Sequence, residues 1–383
     1  MAPVVLFVVG ACSLVLYHFV YDWLAHSASS QKPRKPVDTT EVVKTTVTVL
    51  TLVGAVLGGI YAYRKQLLAE GDAHRADASQ RLDRYTTAAE QLGHERAAVR
   101  LAGVYALARL ADDWEEQRQI CIDVLCAYLR MPYQPDPQQQ GYKEGEREVR
   151  RTIISVIGDH LQDPYAPSSW CHENFDFRGA IFDGGELSGS VFLGWADFRD
   201  VAFRGPITFI GSTFGHRVTF DGATFEGDVM FYGATFHGMA FFHNVVFRGG
   251  RVTFQGAKFS GGHVVFERAT FGGSRVDFDG ATFTGAVVSF DRSAFSDGSV
   301  EFTAAVFSDG EVSFNEATVS GGAVTFRRAE FSGGKVSFDR TAFNSGTVSF
   351  EEATVSGESP SFSEASFTRT QFSWGGISRP VGM

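Results

Sequence analysis

The stretch FSGGHVVFERATFGGSRVDFDGATF, residues 259–283, repeats phenylalanine with a strict twelve-residue period. Phe266 and Phe278 belong to one series, and Phe259 and Phe271 belong to a second series that follows five residues behind it. A globular core needs no fixed spacing, whereas a stacked solenoid does, because each repeat buries the same side chain against the next repeat. The period therefore predicts a solenoid.

Both series continue almost to the C-terminus, and valine replaces phenylalanine only twice, in the second series. The first series comprises Phe254, Phe266, Phe278, Phe290, Phe302, Phe314, Phe326, Phe338, Phe350 and Phe362. The second comprises Phe259, Phe271, Phe283, Phe295, Phe307, Val319, Phe331, Phe343, Val355 and Phe367. One architecture is therefore expected throughout this part of the chain.

Each unit reads V-x-F-x-x-A-x-F-x-x-x-x and contains two extended pentapeptides. Side chains two positions apart on an extended backbone point the same way, so the bulky residues and the small residues before them are expected to point inward. The four remaining positions are expected to form corners, because their glycines adopt the positive φ of sharp turns. The residues between the inward positions are expected to point to solvent: Thr253, Asp277, Ser289, Glu301 and Thr325.

Upstream the period is shorter. Phe203 and Phe214 are eleven residues apart, and Phe177 and Phe182 are five apart. Four pentapeptides to a coil then predict coils of 22 and later 24 residues, about nine in all, stacked at ~4.8 Å. Phenylalanines one coil apart should form two ladders, one with Phe254, Phe278, Phe302, Phe326 and Phe350, and the opposite one with Phe266, Phe290, Phe314 and Phe338.

The fragments RGAIF, DGATF, YGATF and ERATF resemble the motif A-(D/N)-(L/F)-x-x of the pentapeptide-repeat family. The resemblance covers about 175–370 and implies a right-handed quadrilateral β-helix, assigned to residues 174–373. The predicted fold class is mixed, with two N-terminal transmembrane helices and a small α-helical module before this β-helix.

Two apolar segments predict a transmembrane helical hairpin over residues 1–66. Segments 4–24 and 45–63 are each about 20 residues long, which is enough to cross the hydrocarbon core as a helix. The basic residues around them are nearly balanced between the loop and the far flank, so the positive-inside rule does not fix the orientation. They are Lys32, Arg34, Lys35 and Lys44 in the loop, and Arg64, Lys65, Arg75 and Arg81 after the second segment. We expect a multi-pass protein of the cell membrane with a cytoplasmic repeat domain.

Residues 67–165 predict a helical stalk and adaptor module. A polar stretch over 62–92 continues the second membrane helix, and helices are expected over 97–113, 115–132 and 144–164. Segment 84–130 resembles a helical module of actinobacterial membrane-anchored pentapeptide-repeat proteins. Two interpretations stay open, a protein-binding adaptor and a spacer that caps the solenoid.

No catalytic, cofactor-binding or metal-binding residues are predicted, and the protein is not expected to be an enzyme. His237 with His243, and the set Cys121, Cys126, His160, Cys171 and His172, contain metal-ligating residue types but lack zinc-finger spacing. The four cysteines show no framework spacing, so reduced thiols are expected. The net charge of -10 disfavours nucleic-acid binding.

The preferred function is a membrane-tethered, non-catalytic scaffold for an unknown protein partner. The alternative is a DNA mimic that inhibits or protects DNA gyrase, because the resemblance extends to relatives that protect gyrase by imitating the charge of duplex DNA. The 16 basic residues among the 23 acidic residues after Asn174 interrupt any acidic face. The Ser/Thr/Gly-rich surface suggests no single binding patch. The open N-terminal end of the solenoid is expected to lie under helix 144–163 and Trp170. At the other end, either Trp374 folds over the last coil or two copies dimerise there.

Overall fold

A computed structural model describes residues 2–29 and 38–379 of the chain. The chain forms two compact units, Met1–Gln80 and Arg81–Met383. Helix α1 spans Ala2–Ser29 and helix α2 spans Thr39–Leu92.

Among the described residues, α2 is the one helix that is long and apolar enough to cross a membrane. Helix α2 contains the predicted segment 45–63 and qualifies by its length and composition. Helix α1, which contains the predicted segment 4–24, does not qualify, so a two-span hairpin is not confirmed. Lys32, Arg34 and Lys35 of the predicted loop lie outside the described residues.

The helical module follows the sequence pattern closely. Helix α2 continues through 62–92 as predicted, and α3 spans Ala97–Asp113. A 3-10 turn, Glu115–Gln117, precedes α4, Arg118–Arg130, and α5 spans Glu146–His160.

Helices α4 and α5 are shorter than the predicted helices 115–132 and 144–164. Helix α5 starts after Gly145, whose φ of 69° is left-handed and not helical. It ends early because the chain turns toward the solenoid, where the Leu161 carbonyl accepts a 2.8 Å hydrogen bond from the Val191 amide.

The solenoid has four columns of short parallel strands, which we call sides 1 to 4 in the order in which each coil visits them. Side 1 comprises Phe175–Asp176, Ala196–Asp197, Val218–Thr219, Ala240–Phe241, His263–Val265, Val287–Ser289, Glu311–Ser313 and Lys335–Ser337. Side 4 comprises Val191–Phe192, Thr213–Phe214, Thr235–Phe236, Lys258–Ser260, Thr282–Thr284, Val306–Ser308, Glu330–Ser332 and Thr354–Val355.

Sides 2 and 3 belong to one hydrogen-bonded sheet, because some strands run through the corner between them. Side 2 alone holds Thr224–Phe225, Val246–Arg248, Thr270–Gly272 and Ala294–Ser296. Side 3 alone holds Val229–Met230, Arg251–Thr253, Arg275–Asp277 and Ser299–Glu301. Five longer strands occupy both sides: Ile181–Glu186, Ala202–Thr208, Thr318–Thr325, Ala342–Ser349 and Ser366–Ser373.

The solenoid has about eight turns, so the expected nine is too many. Eight strands stack on side 1, and the chain beyond them adds only an isolated bridge between Ser337 and Ser361 there. The predicted lengths of the proximal and the distal coils are confirmed by the partners that stack directly on each other. Phe203 pairs with Phe225 in the proximal coils, and Phe259 pairs with Phe283 in the longer distal coils.

The two phenylalanine ladders are confirmed. Phe278 stacks on Phe254 at 4.7 Å and on Phe302 at 4.9 Å between ring centroids, and Phe266 stacks on Phe290 at 4.9 Å. The ladders also meet each other edge to face, as Phe254 and Phe266 do at 6.1 Å. Offset-stacked and edge-to-face pairs are both favoured by the ring quadrupole, so each buried ring gains contacts within its ladder and across the core.

The residues between the inward positions are less exposed than predicted. Asp277 and Ser289 are buried, and Thr253 is half-buried. Their short polar side chains fold back on the following backbone, since Asp277 Oδ1 accepts a 2.8 Å hydrogen bond from the Asp279 amide. This local bond draws the side chain against the neighbouring coils instead of into solvent.

Candidate interaction surface

Helix α4 closes the N-terminal end of the solenoid through polar contacts. Gln119 and Asn174 exchange two hydrogen bonds of 2.8 Å, both between the Gln119 side chain and the Asn174 backbone. Arg130 Nη1 donates to the Asp176 carbonyl at 2.6 Å and lies 3.1 Å from its carboxylate. The Arg178 guanidinium also binds this carboxylate and holds the pKa of Asp176 below its usual range.

Helix α5 closes the same end with backbone and ring contacts. The Cys171 carbonyl accepts a 2.7 Å hydrogen bond from the Leu193 amide, so the chain after α5 pairs with the first coil. Trp170 is fully buried and stacks on His160 at 4.1 Å. The expected covering by helix 144–163 and Trp170 is confirmed. Helices α3 to α5 with the segment up to residue 174, which we call the cap, cover the exposed strand ends. A cap role leaves the outer face of the module available to a partner.

At the C-terminal end, Trp374 folds over the last coil. Its ring stacks on Phe372 at 4.5 Å and meets Phe362 edge to face at 5.4 Å. Within the described part of the chain, the last strand, Ser366–Ser373, pairs with one neighbour and leaves its other edge open. Dimerisation at this edge stays a prediction.

The residues with metal-ligating chemistry are engaged in other contacts. His160 Nε2 lies 3.2 Å from Asp112, and His243 Nδ1 lies 2.9 Å from Asp221. His237 contacts the Ser260 hydroxyl at 2.9 Å. No group of three or more His, Cys, Asp or Glu side chains suited to a metal ion occurs among residues 2–29 and 38–379.

The thiols are free, and those of the cap are buried: Cys121, Cys126 and Cys171. Burial raises the pKa of Cys121 to about 11 and raises that of Cys126 further. These side chains therefore stay protonated at neutral pH, and a thiol is a poor nucleophile in that form.

Several outer charges of the solenoid form opposite pairs between coils. Arg292 Nε lies 2.9 Å from Glu316, and Arg328 Nε lies 2.6 Å from Glu352, and each pair joins two successive coils. Such pairing neutralises part of the acidic surface that a duplex mimic would need to display. DNA mimicry is therefore not supported by the charge pattern.

A groove of about 440 Å³ lies on side 1 in the coils next to the cap. We call it the side-1 groove, and its walls are Trp195, Asp197, Arg199, His216, Arg217 and Thr219. Trp195 is 40% exposed, which is unusual for an indole on a surface otherwise rich in serine, threonine and glycine.

The two arginines of the groove differ in their partners. Arg199 makes hydrogen bonds of 2.6 to 3.0 Å with the buried Asp197 carboxylate, so these two charges neutralise each other. The Arg217 guanidinium instead lies 5.0 Å above the ring of Phe241, in a cation–π contact.

The sequence predicted no single binding patch, so the side-1 groove was missed. Trp195, Arg217 and Met239 are outward residues at equivalent positions of three successive coils, so they stand in one vertical row. The row becomes visible in the sequence only when the outward positions of successive coils are aligned with one another. The inward positions need no such alignment, because they repeat the same residue type.

Residues 187–235 and 220–269 match the family described as Pentapeptide repeats (9 copies). Among curated proteins no match is found. The family match and the β-solenoid together support a pentapeptide-repeat protein. A solenoid of this kind suggests a protein-interaction or scaffold role.

Proposed function

We propose that this protein is a non-catalytic scaffold that is tethered to the cell membrane and displays its solenoid to a partner protein. The observation that carries the proposal is the stack of about eight parallel turns with continuous aromatic ladders inside. Such a stack offers long flat sides to a binding partner. The net charge of -10 favours a protein partner over a nucleic acid.

A non-catalytic role is supported by the state of the reactive side chains. Cys121 and Cys126 are buried thiols with raised pKa values. His160, the last residue of α5, contacts Asp112, and His243, in the turn after Ala240–Phe241, contacts Asp221. We therefore assign no cofactor and no catalytic residue.

The membrane tether is proposed to consist of segments 4–24 and 45–63, with the repeat domain in the cytoplasm. The apolar part of α2 supports the second segment. Protease treatment of right-side-out vesicles should leave the C-terminus intact, whereas detergent should expose it. Digestion before detergent treatment would contradict the cytoplasmic placement.

Partner binding is best tested by photo-crosslinking in native membranes. A photoreactive phenylalanine analogue at Tyr232, a 52% exposed residue of the solenoid, should capture a discrete protein. The matched position is Tyr105, which is 60% exposed on α3 of the cap. Both residues are exposed tyrosines, so probe size and accessibility are comparable.

The two positions separate the open alternatives. Adducts from Tyr232 support a scaffold that binds through its solenoid. Adducts from Tyr105 alone would move binding to the helical module, as the adaptor interpretation expects. A lack of discrete adducts from these and other exposed positions on all four sides would contradict the scaffold function.

A further inference from the structure

We infer that the side-1 groove binds an extended segment of the partner protein in which a carboxylate side chain lies beside an aromatic ring. The inference rests on the proposed scaffold function and specifies the chemistry of the partner. It is carried by one unpaired cation, one exposed indole and the mutually neutralised charges of the other wall residues, Asp197 and Arg199.

The cation is Arg217. Within the described part of the chain, no carboxylate lies within ion-pair distance of it, whereas Arg178 and Arg199 are held by Asp176 and Asp197. One face of the Arg217 guanidinium covers Phe241 at 5.0 Å. Its edge donors stay available, and a planar guanidinium binds a carboxylate through two parallel hydrogen bonds.

The aromatic wall is Trp195, one coil closer to the cap than Arg217. The Ala196 amide donates to the Arg217 carbonyl at 3.1 Å, so the two outward side chains belong to adjacent coils about 4.8 Å apart. Met239, 40% exposed, continues the row on the other side of Arg217. Tryptophan and arginine are among the residue types most often found at binding hot spots.

The rest of the same row does not repeat this arrangement. Farther from the cap, its outward positions hold His263, Val287, Glu311 and Lys335. An indole next to an unpaired guanidinium therefore occurs in this row only at the first coils. The site is local, although the fold is repetitive.

The other charges in the groove favour an anionic group and disfavour a cationic one. Asp197 is the acidic wall residue, and its carboxylate is buried and occupied by Arg199. A bound carboxylate therefore meets no free negative charge, whereas a lysine of the partner would meet Arg217. Charge complementarity of this kind selects between partners more than it adds affinity.

The test uses the full chain in detergent micelles and three fluorescein-labelled peptides. GSEFEFEGS carries carboxylates beside rings, GSKFKFKGS reverses the charge, and GSEAEAEGS removes the rings. Fluorescence anisotropy should show saturable binding of the first peptide, and binding at least about tenfold weaker for the other two. Equal binding of all three, or no saturation of the first below about 1 mM, would overturn the inference.

Variants then locate the binding on the chain. Arg217→Glu and Trp195→Ala should each weaken binding of the first peptide at least about tenfold, with circular dichroism unchanged. Arg248→Glu is the matched control, because Arg248 is an exposed arginine on side 2. Unchanged affinity in Arg217→Glu, or an equal loss in Arg248→Glu, would overturn the assignment to this groove.

Failure of this inference can be distinguished from failure of the proposed scaffold function. A photoreactive probe at Met239, the exposed residue next to Arg217 in the same row, reports on this groove. If it still captures the partner in an Arg217→Glu chain that has lost peptide binding, the partner does not depend on the groove and the inference is wrong. If the peptide fails to bind the native chain while crosslinking succeeds, the inference about the side-1 groove is wrong and the scaffold function stands.

Discussion

The Cα of Gly238 lies so close to the backbone carbonyl of His216, one coil nearer the cap, that no Cβ fits between them. The obstacle is backbone and cannot rotate away. We expect Gly238→Ala to force the two coils apart and to lower the free energy of unfolding by roughly 1–3 kcal/mol. Urea denaturation of the full chain in detergent, followed by circular dichroism, measures the change.

The matched control for that change is Gly272→Ala. A Cβ at Gly272 would meet its nearest neighbour, the Ser296 hydroxyl, at an ordinary 3.7 Å. The free energy of unfolding should then stay within about 0.5 kcal/mol of the native value. Similar losses for both variants would show that glycine is needed for backbone freedom and not for close approach between coils.

The centre of the ladder should respond strongly to truncation. Phe302 is fully buried and stacks on Phe278 and Phe326, both at 4.9 Å. Phe302→Ala removes these contacts and leaves a cavity, so the free energy of unfolding should fall by roughly 3–5 kcal/mol. Hydrogen exchange measured by mass spectrometry should show lost protection first in the coils on either side.

Val287→Ala serves as the control for the ladder, because Val287 is 38% exposed on side 1. Its exchange pattern should match that of the native chain. If loss of protection after Phe302→Ala spreads evenly over the whole solenoid, the coils unfold as one unit and not by local separation of neighbours.

The junction between cap and solenoid should weaken in acid. Arg178 holds the pKa of Asp176 below its usual range, and Arg130 lies 3.1 Å from the same carboxylate. A depressed folded-state pKa contributes stability that is complete above the unfolded value of about 4. That contribution is lost as the pH falls through the folded-state pKa.

Hydrogen exchange of residues 174–177 between pH 3 and 6, corrected for intrinsic rates, checks this dependence. Asp176→Asn should remove the acid-sensitive part of the protection. Glu311→Gln is the control, since the exposed Glu311 has no ion-pair partner among the described residues. An unchanged pH dependence in Asp176→Asn would assign the acid sensitivity to another group.

The cap thiols should resist alkylation in the folded protein. Cys121, Cys126 and Cys171 are buried, and the pKa of Cys121 is raised to about 11, so the reactive thiolate is scarce at neutral pH. Iodoacetamide followed by mass spectrometry should label them only after unfolding in urea. A Tyr232→Cys variant provides an exposed thiol that should react at once, and labelling of Cys126 at a similar rate would contradict a closed cap.

The solenoid was predictable because its determinants are local and repeated. Phe254 and Phe278 occupy equivalent positions of identical units, so the period alone assigns their direction and their contact. In the second series, Val319 takes the place of a phenylalanine and pairs with Phe295 of the preceding coil. The contact between Arg130 and Asp176 has no such signal, because a helix and a strand meet there once.

The side-1 groove could be predicted only in part. Trp195 and Arg217 are placed by the same period as the phenylalanines, but their identities are not repeated. A periodic sequence therefore specifies where outward residues meet, and only inspection of each row shows what they form. The burial of Asp277 was missed for a different reason, since it depends on a side chain that bonds to its own turn.

The longer coils beyond Phe254 give the distal part a property that the proximal part lacks. Each distal coil consists of two units of equal length, and phenylalanine fills both bulky inward places of a unit except where Val319 and Val355 replace it. Loss or duplication of one whole coil would shorten or lengthen the stack by one turn and leave every later outward residue on its own side. Loss of a single unit, half a coil, would preserve the aromatic interior yet transfer those residues to the opposite side. In the distal coils, a deletion or duplication of one unit can thus rearrange the exterior of this protein while its interior remains the same.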